Sequence, residues 1–331
     1  MLLFDDIAAE YVDFAAYAEG DSPTFADWAR AVAGDTEVLA WLGDLPAIKH
    51  QPNLVFAAAR LHGVSAPGPY AGLRSALLED TGPIRETILA RATQTNEVGR
   101  LATLTPAFAA VDGPLALLEV GASAGLCLYP DRWSYEWESD TGVVRLGAGH
   151  TLTCRVKGEA PLPTQPPQVA WRGGIDLNPL DVTDADDMRW LATLVWPEHD
   201  DRRARLSQAI EIARAEPPTI ARGDLLDELP TMVERASQFG TVVVFHSAVV
   251  AYLEPADRVR FEAMVRGLVS DGRCHWVSNE GKRVIESITA TGPAIPAEKQ
   301  TFVLGLDGQA IAHTHGHGRS MRWLDGGATE A

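Results

Sequence analysis

The sequence predicts an α/β fold in two parts, a helical domain over residues 1–112 and a sheet covered by helices over residues 113–331. Three observations predict it. Apolar residues recur at helical spacing through the first third of the chain. From residue 115 onward, short apolar runs alternate with helical stretches, which is typical of a doubly wound parallel sheet. Asp307-Gly308 separates the last two strand-like stretches, which favours a terminal antiparallel hairpin.

The composition limits the class of protein. Of the 331 residues, 46% are hydrophobic and 22% are charged, which excludes a disordered chain and a small disulfide scaffold. Lysine and arginine number 28 against 45 aspartates and glutamates, a formal net charge of -17. Because this charge repels phosphate backbones and anionic lipid, we expect a small-molecule substrate, with no nucleic acid and no membrane as partner.

The cysteines and the start of the chain bear on its location. Cys127, Cys154 and Cys274 are far apart in the sequence, so they indicate neither a disulfide framework nor a thiolate zinc site. The first residues lack the basic head and apolar middle of a secretion signal, and no run of about 18 apolar residues occurs. The predicted location is therefore the cytoplasm, while the oligomeric state stays open.

The helices of the first part are predicted from their apolar faces and their boundaries. Ser22-Pro23 suits the entry to a second helix, Gly34 suits its C-cap, and Asp35-Thr36 suits the entry to a third. No convincing strand occurs before residue 113. Helical spacing places these apolar residues on one face of the first helix: Phe4, Ile7, Tyr11 and Phe14.

The first strand of the sheet is predicted at Leu115–Val120, an apolar run of the kind that is buried in parallel sheets. The run leads into Gly121–Leu126, which predicts a tight turn and the start of a helix. Residues 131–167 differ, because they alternate or pair like short antiparallel strands and end in a proline-rich stretch. We interpret them as an inserted β-hairpin region.

The same patterns predict the rest of the second part. Apolar runs bounded by glycine, proline or acidic residues indicate strands, and longer amphipathic stretches indicate helices. In chain order these elements are a strand at 169–172, helices at 184–195 and 199–214, strands at 219–221 and 241–245, a helix at 256–269, a strand at 274–277 and two final strands at 301–306 and 309–323.

A glycine-rich turn follows the first predicted strand. Gly121 and Gly125 allow the backbone to pass close to a ligand, and the predicted helix start offers free N–H groups. Glu119, near the end of the strand, suits a cationic or hydroxyl-rich ligand. Glycines also end strands for purely structural reasons, so the turn alone leaves both interpretations open.

Two further acids extend this pattern along the sheet. Asp176 follows the next parallel strand, where a carboxylate accepts hydrogen bonds from the two hydroxyls of a ribose. Asp224 follows the third strand, where an acid is placed to meet an adenine amino group. The order of these acids favours a nucleoside-like ligand at the carboxyl ends of the strands.

With these residues the chain resembles the class I S-adenosylmethionine-dependent methyltransferases over residues 113–325. The stretch Glu119–Gly125 is similar to their first motif, acid-x-Gly-x-Gly-x-Gly, with Ser123 in place of the middle glycine. Asp176 and Asp224 are similar to the acids of their second and third strands, and the terminal hairpin is similar as well.

The resemblance implies a Rossmann-like methyltransferase sheet with S-adenosylmethionine as its cofactor, and methyl transfer to an unknown, small-molecule acceptor. It also implies that His246 and Tyr252, which follow the strand at 241–245, face the substrate as catalytic residues. The implied cofactor-binding residues are Glu119, Gly121, Ser123, Gly125, Asp176, Leu177, Asp224, Leu225 and His246.

Along its whole length the chain is similar to a bacterial family known only as a domain of unknown function. Two stretches carry this similarity, Gln94-Thr95-Asn96-Glu97 and Trp171–Asp176. The family brings no assigned activity, so a cofactor-binding protein without catalysis stays an alternative to a methyltransferase.

A second alternative is a serine hydrolase. Gly121-Ala122-Ser123-Ala124-Gly125 fits the pattern G-x-S-x-G, in which a strained turn exposes a serine nucleophile. His246 or His317 then suits the base, and Asp325-Gly326-Gly327 suits the acid. The strands and the oxyanion loop that such a turn needs upstream are not indicated, because everything before residue 113 is predicted as helix.

Other polar residues have structural interpretations. His246 also fits a strand-end histidine bonded to backbone, and Arg172 fits a salt bridge near Asp176. For Gln94–Glu97 a helix cap by Thr95 or Asn96 is favoured. Alternating histidines suggest a metal, but with no acid or cysteine nearby in sequence we predict none. These histidines are His313, His315 and His317.

Overall fold

The computed structural model describes residues 6–94 and 96–324. They form two compact units, one from the residues up to 94 together with 183–207, and one from 96–182 together with 208–324. The α-helices are α1 Ile7–Ala18, α2 Pro23–Ala33, α3 Thr36–Gly43, α4 Pro52–Leu61, α5 Tyr70–Leu78, α6 Pro83–Ala90, α7 Leu101–Ala109, α8 Ala185–Leu194, α9 Asp200–Ala215, α10 Leu225–Ala236, α11 Pro255–Ser270 and α12 Glu286–Thr289.

The first unit is helical, as its apolar spacing predicts. Ser22 caps α2 by accepting the backbone N–H of Phe25, and Gly34 is the C-cap of the same helix. Phe4 lies outside the described residues. No helix within residues 6–94 and 96–324 has the length and apolar character that a membrane crossing requires. The buried aromatic residues of this unit are Tyr11, Phe14, Phe25, Trp28, Phe56, Trp190 and Trp196.

The second unit is built on one large sheet. Its strand order is β3-β2-β4-β11-β10-β9-β8-β7-β1-β5-β6, which gives a mixed α/β fold with a mostly parallel sheet. The strands are β1 Leu115–Val120, β2 Ser134–Ser139, β3 Gly142–Leu146, β4 Thr151–Lys157, β5 Val169–Asp176, β6 Thr219–Arg222, β7 Thr241–Ser247, β8 His275–Gly281, β9 Phe302–Leu306, β10 Gln309–Thr314 and β11 Ser320–Trp323.

The five strands β6-β5-β1-β7-β8 are parallel and form the centre of the fold. Successive strands are added on one side of β1 as far as β6, and on the other side from β7 onward, so the order reverses between β1 and β7. Helices α10 and α11 pack on one face of these strands. On the other face, Phe108 of α7 meets Phe245 of β7, with ring centroids 5.1 Å apart.

Two predictions about this sheet are wrong in detail. No α-helix follows the glycine-rich turn, because the chain forms only a short 3-10 helix at Leu126–Leu128. Tyr129, which precedes Pro130, leaves the helical region, as residues before proline usually do. The predicted last strand at 309–323 is two strands, β10 and β11, because residues 315–319 form a turn that contains Gly318 with φ +74°.

The inserted region at 131–167 also differs from the prediction. Its strands β2 and β3 are antiparallel, as expected, but β2 and β4 are parallel. In turn β4 pairs with β11, the last strand of the chain, in parallel. The insertion is therefore a continuation of the main sheet.

We expect Gly121→Ala to destabilise the second unit. At this position φ is +69°, and an added Cβ lies 2.5 Å from Cγ1 of Val249. The strain and the overpacking together predict a loss of about 1–3 kcal/mol in the free energy of unfolding, measured by urea denaturation. Adding Val249→Ala to the variant should recover part of that loss.

Gly267→Ala is the matched control. Gly267 lies inside α11, and an added Cβ meets no atom within 4 Å. This change should therefore stabilise the unit by about 0.5–1 kcal/mol. A Gly121→Ala variant as stable as the wild type would contradict the packing that we describe for the turn.

Candidate functional site

The acids near the ends of β1, β5 and β6 lie at the same end of the sheet, where its parallel strands have their carboxyl ends. Glu119 of β1 is in register with Gly174 of β5, and Asp176 of β5 is in register with Arg222 of β6. The N–H of Gly223, the residue before Asp224, donates to the backbone oxygen of Asp176 at 3.0 Å. The three acids that the sequence singles out thus lie at the carboxyl ends of three neighbouring strands.

Asp176 holds the glycine-rich turn in place. Its Oδ2 accepts the backbone N–H of Ser123 at 2.7 Å, and its Oδ1 accepts the N–H of Asn178 at 2.7 Å. The side chain is partly exposed, and each carboxylate oxygen has a second lone pair for another donor. Asp176 therefore supports the turn and is still able to bind a ligand.

Ser123 has an unusual backbone conformation for a residue other than glycine. Its φ is +51°, and the residue is only 4% exposed. Its Oγ accepts a hydrogen bond from Nδ2 of Asn96 at 2.7 Å. Asn96 is a site residue that the sequence analysis missed, because it assigned the polar stretch at 94–97 to a helix cap.

The helix cap lies at Glu97 instead of the predicted Thr95 or Asn96. Glu97 caps the 3-10 helix Val98–Arg100, and its side chain accepts the N–H of Gly99. Asn96 is not the cap, because its side chain reaches Ser123 instead. Thr95 lies outside the described residues. The only signal for Asn96 in the sequence was the density of polar residues in this stretch.

The two glycines of the turn are required by the packing of the chain on itself. A Cβ on Gly121 would lie 2.5 Å from the side chain of Val249, and one on Gly125 would lie 2.9 Å from Cγ of Pro218. The N–H of Gly121 donates to the oxygen of Ile175 at 2.8 Å. Because the turn is followed by only a short 3-10 helix, it lacks the helix N-terminus that the sequence predicted there.

Glu119 is a buried acid with an unsatisfied oxygen. The residue is 8% exposed, and its Oε2 has no hydrogen-bond partner within the described chain. Burial raises the pKa of the Glu119 carboxyl well above its usual value; Arg100 opposes this shift and Asp176 adds to it. An unpaired buried oxygen costs about 1–3 kcal/mol, so its retention is a feature to explain.

His246 is fully buried between two partners. Its Nδ1 lies 2.8 Å from Oε1 of Glu280, and Nε1 of Trp276 donates to its Nε2 at 3.0 Å. Since Nε2 accepts, the proton lies on Nδ1. Both ring nitrogens are thus occupied by side chains, and the imidazole has none to offer a substrate in this conformation.

Glu280 also fixes the loop after β7. Its Oε1 accepts the backbone N–H groups of Val249 and Val250, at 2.9 and 3.1 Å. This loop ends at Tyr252, whose side chain is 80% exposed. The sequence analysis missed Glu280, because nothing near it in sequence distinguishes an acid at the end of β8 from a surface residue.

An accessible strip lies along the ends of β5 and β6. Leu177 is 64% exposed although it is a large apolar residue, and Leu225 is partly buried. Asp224 is exposed and caps α10 through the N–H of Leu226 at 2.8 Å. Asp176, Leu177 and Asp224 thus form a strip of two carboxylates and one apolar side chain.

The remaining candidates have structural partners. Arg172 forms a salt bridge with Asp131 at 2.8 Å rather than with Asp176. Among the described residues, no group of three or more histidine, cysteine or acidic side chains is arranged to hold a metal. His313 lies on β10, where burial lowers its pKa, while His315 and His317 lie in the turn that follows. Asp325 falls outside the described residues.

Comparison with known proteins places the chain in a family. Residues 8–323 match the model of a protein family described as 'Uncharacterized protein conserved in bacteria', domain of unknown function 2332. The chain belongs to this family. No curated protein and no solved structure matches the sequence. The similarity to this bacterial family is thus confirmed, whereas the methyltransferase resemblance stays a prediction.

The buried carboxyl of Glu119 predicts a pH dependence of stability. A raised pKa means that the folded protein holds this proton more tightly than the unfolded chain. Its contribution is therefore complete below the usual pKa near 4.5 and is lost as the pH rises through the raised pKa. Glutamine does not titrate, so the variant lacks this loss of stability at rising pH. Relative to the wild type, Glu119→Gln should therefore gain stability from about pH 5 upward, by at most about 1.4 kcal/mol per pH unit.

Urea denaturation of both proteins at several pH values measures this difference. Glu138→Gln, the same substitution at an exposed side chain of β2, is the control and should run parallel to the wild type. A constant difference between Glu119→Gln and the wild type would show that Glu119 is ionised in the folded protein.

Proposed function

We propose that the second unit binds S-adenosylmethionine at the carboxyl ends of its parallel strands. It then acts as a methyltransferase on a small-molecule acceptor. One observation carries the proposal: Asp176, Leu177 and Asp224 form an accessible strip at the carboxyl ends of β5 and β6, the two strands that follow β1 on one side of the point where the strand order reverses. Ligands of open α/β sheets bind at such points, outside the carboxyl ends of the strands.

The residues of the strip suit the parts of an adenosyl group. Asp176 has spare lone pairs for the two ribose hydroxyls, although it also holds the backbone of Ser123. Leu177 gives an apolar surface for a flat base, which explains why it is left exposed. Asp224 is placed to accept from an amino group of that base. The order of these groups along β5 and β6 matches the order of ribose and base.

Bound there, S-adenosylmethionine supplies a methyl group on a sulfonium that carries its own leaving group. The chain then needs mainly to orient an acceptor, which is worth up to about 7–11 kcal/mol in favourable cases. Neither Gly121 nor Gly125 has a role in holding the ligand in this proposal, because their open sides are filled by the chain itself. In this proposal Ser123 acts indirectly, because its backbone N–H donates to Asp176 and holds that carboxylate in place.

A binding protein without catalysis is the second candidate. It is favoured by one observation, that both nitrogens of His246 are taken by Glu280 and Trp276. Tyr252 stays the predicted catalytic group, because its side chain is exposed at the end of the loop after β7. Binding of S-adenosylhomocysteine without any methyl transfer to a panel of small nucleophiles would support the binding protein.

Calorimetric titration with S-adenosylhomocysteine tests the proposal. We expect the wild type to bind and Leu177→Asp to bind at least about tenfold more weakly, since the apolar surface is lost and a charge is added. Because Leu177 is exposed, the free energy of unfolding should change by less than about 0.5 kcal/mol. Asp224→Ser keeps a helix cap but removes the carboxylate, and should weaken binding about 10-fold to 150-fold.

Asp227→Asn is the control for these variants. Asp227 lies in the first turn of α10, three residues beyond Asp224, and its loss of charge should leave the affinity unchanged. If the wild type binds neither S-adenosylmethionine nor S-adenosylhomocysteine, the proposed function is wrong. Equal affinity of the wild type and Leu177→Asp would remove the strip from the site.

The hydrolase alternative has its own measurement. Among the described hydrogen bonds, Oγ of Ser123 is joined to Asn96 and to no imidazole. A serine without a base is a poor nucleophile, so we expect no labelling of Ser123 by a fluorophosphonate probe, as judged by mass spectrometry. Stoichiometric labelling that is lost in Ser123→Ala would favour the hydrolase instead.

A further inference from the structure

We propose that residues 293–299 form a lid over a groove at the carboxyl end of β8, and that Lys282 is the latch that holds this lid closed. The lid lies between α12 and β9. Lys282 comes directly after Gly281, the last residue of β8. This device goes beyond the proposed function, and it holds whether or not the second unit binds S-adenosylmethionine.

The first observation is the environment of the Lys282 ammonium group. Its Nζ donates to the backbone oxygens of Pro296, Ala297 and Lys299, at 2.6, 2.8 and 2.7 Å. An ammonium group has three N–H donors, so all of them are used on one short stretch of chain. Hydrogen bonds from a charged donor are stronger than those between neutral groups. One side chain thus binds three carbonyl groups of the lid.

The second observation is how little else holds the lid. Every hydrogen bond that joins residues 293–299 to the rest of the described chain comes from Nζ of Lys282. The other hydrogen bond described for the lid is internal, from the N–H of Lys299 to the oxygen of Pro296. Ile295 is partly buried and packs against the hydrophobic core, whereas the other six residues are exposed. Segments with so few contacts open at a low cost in free energy.

The third observation is the groove itself. Its volume is about 510 Å³, which lies within the roughly 300–1,000 Å³ of pockets that bind small molecules. The lid lines one part of the groove and the chain from Lys282 to Ala290 lines another, so opening of the lid widens it. The lining residues are Lys282, Arg283, Glu286, Thr289, Ala290, Gly292, Pro293, Ala294, Ile295 and Ala297.

The position of the latch gives the lid its significance. Because β8 is parallel to β7, Lys282 lies at the end of the sheet outside which open α/β sheets bind their ligands. Glu280, two residues before Lys282, accepts the N–H groups of Val249 and Val250. These belong to the loop that ends at Tyr252. The latch is thus joined by two residues of chain to that loop, and the lid controls access to this end of β8.

Limited proteolysis of the full chain tests the latch. Glu298 and Lys299 are exposed residues of the lid, and a glutamyl endopeptidase and trypsin cleave after them. Lys282→Met keeps the aliphatic stem of the side chain but removes the ammonium group. Since cleavage follows the population of the open form, both bonds should be cut at least about tenfold faster than in the wild type, as measured by mass spectrometry.

Arg283→Met is the matched control. Arg283 is exposed and lines the same groove, and none of its side-chain hydrogen bonds is to another described residue. This variant loses a positive charge beside the lid but keeps the latch. Cleavage after Glu298 and Lys299 should therefore stay at the wild-type rate.

Alkylation of an introduced cysteine tests whether the lid covers the groove. Thr289→Cys places a thiol on a partly buried residue of the groove, and the native cysteines Cys127, Cys154 and Cys274 are all buried. Iodoacetamide should label the new thiol at least about tenfold faster when Lys282→Met is added, because the open lid exposes it. Mass spectrometry measures the rate.

Three outcomes would overturn the inference. Unchanged cleavage after Glu298 and Lys299 in Lys282→Met would show that the packing of Ile295 alone holds the segment. Equal acceleration at sites throughout the second unit would show that Lys282 supports the whole unit rather than the lid. Faster cleavage of the lid with unchanged labelling of Thr289→Cys would show that the segment does not cover the groove.

Discussion

The hydrogen bond from the backbone N–H of Ser123 to Asp176 is the interaction on which the site depends. It joins the turn after β1 to the end of β5, and Gly223 joins the same aspartate to the chain after β6. Three strand ends are thus connected through one residue. A left-handed serine is costly in isolation, and it persists here because the carboxylate of Asp176 and the amide of Asn96 both hold it.

The glycine-rich turn shows that one sequence pattern can have either of two physical causes, close approach to a ligand or close approach to another part of the chain. Glycine is needed wherever the backbone has a positive φ or approaches another group closely, and the sequence does not say what that group is. For Gly121 it is Val249, which lies far along the chain and is brought there by the loop after β7. Glu280 sets the position of that loop through its bonds to two N–H groups. The acid at the end of β8 therefore determines how tightly the turn after β1 is covered.

Local patterns predicted the parts of the fold that depend on local order. The apolar runs at 115–120 and 241–245 and the Asp307-Gly308 turn are all where the sequence places them. The pairing of β4 with β11 was not predictable, because it joins segments that are more than 150 residues apart and have no complementary pattern. In the site, the acids at the strand ends could be predicted, because each comes at the end of a predicted strand in chain order. The partners of His246, and the contact of Asn96 with Ser123, depend on tertiary packing alone.

The bond between β4 and β11 also has a consequence for biosynthesis. The strands β2, β3 and β4 are made early, yet the neighbour that covers the edge of β4 is the last strand of the sheet to leave the ribosome. Until Ser320–Trp323 emerges, β4 has an open row of backbone donors and acceptors, which invites pairing with other chains. The nascent protein is therefore exposed to aggregation between the synthesis of β4 and that of β11, about half of the chain, and a chain that stops short of residue 320 keeps that open edge permanently.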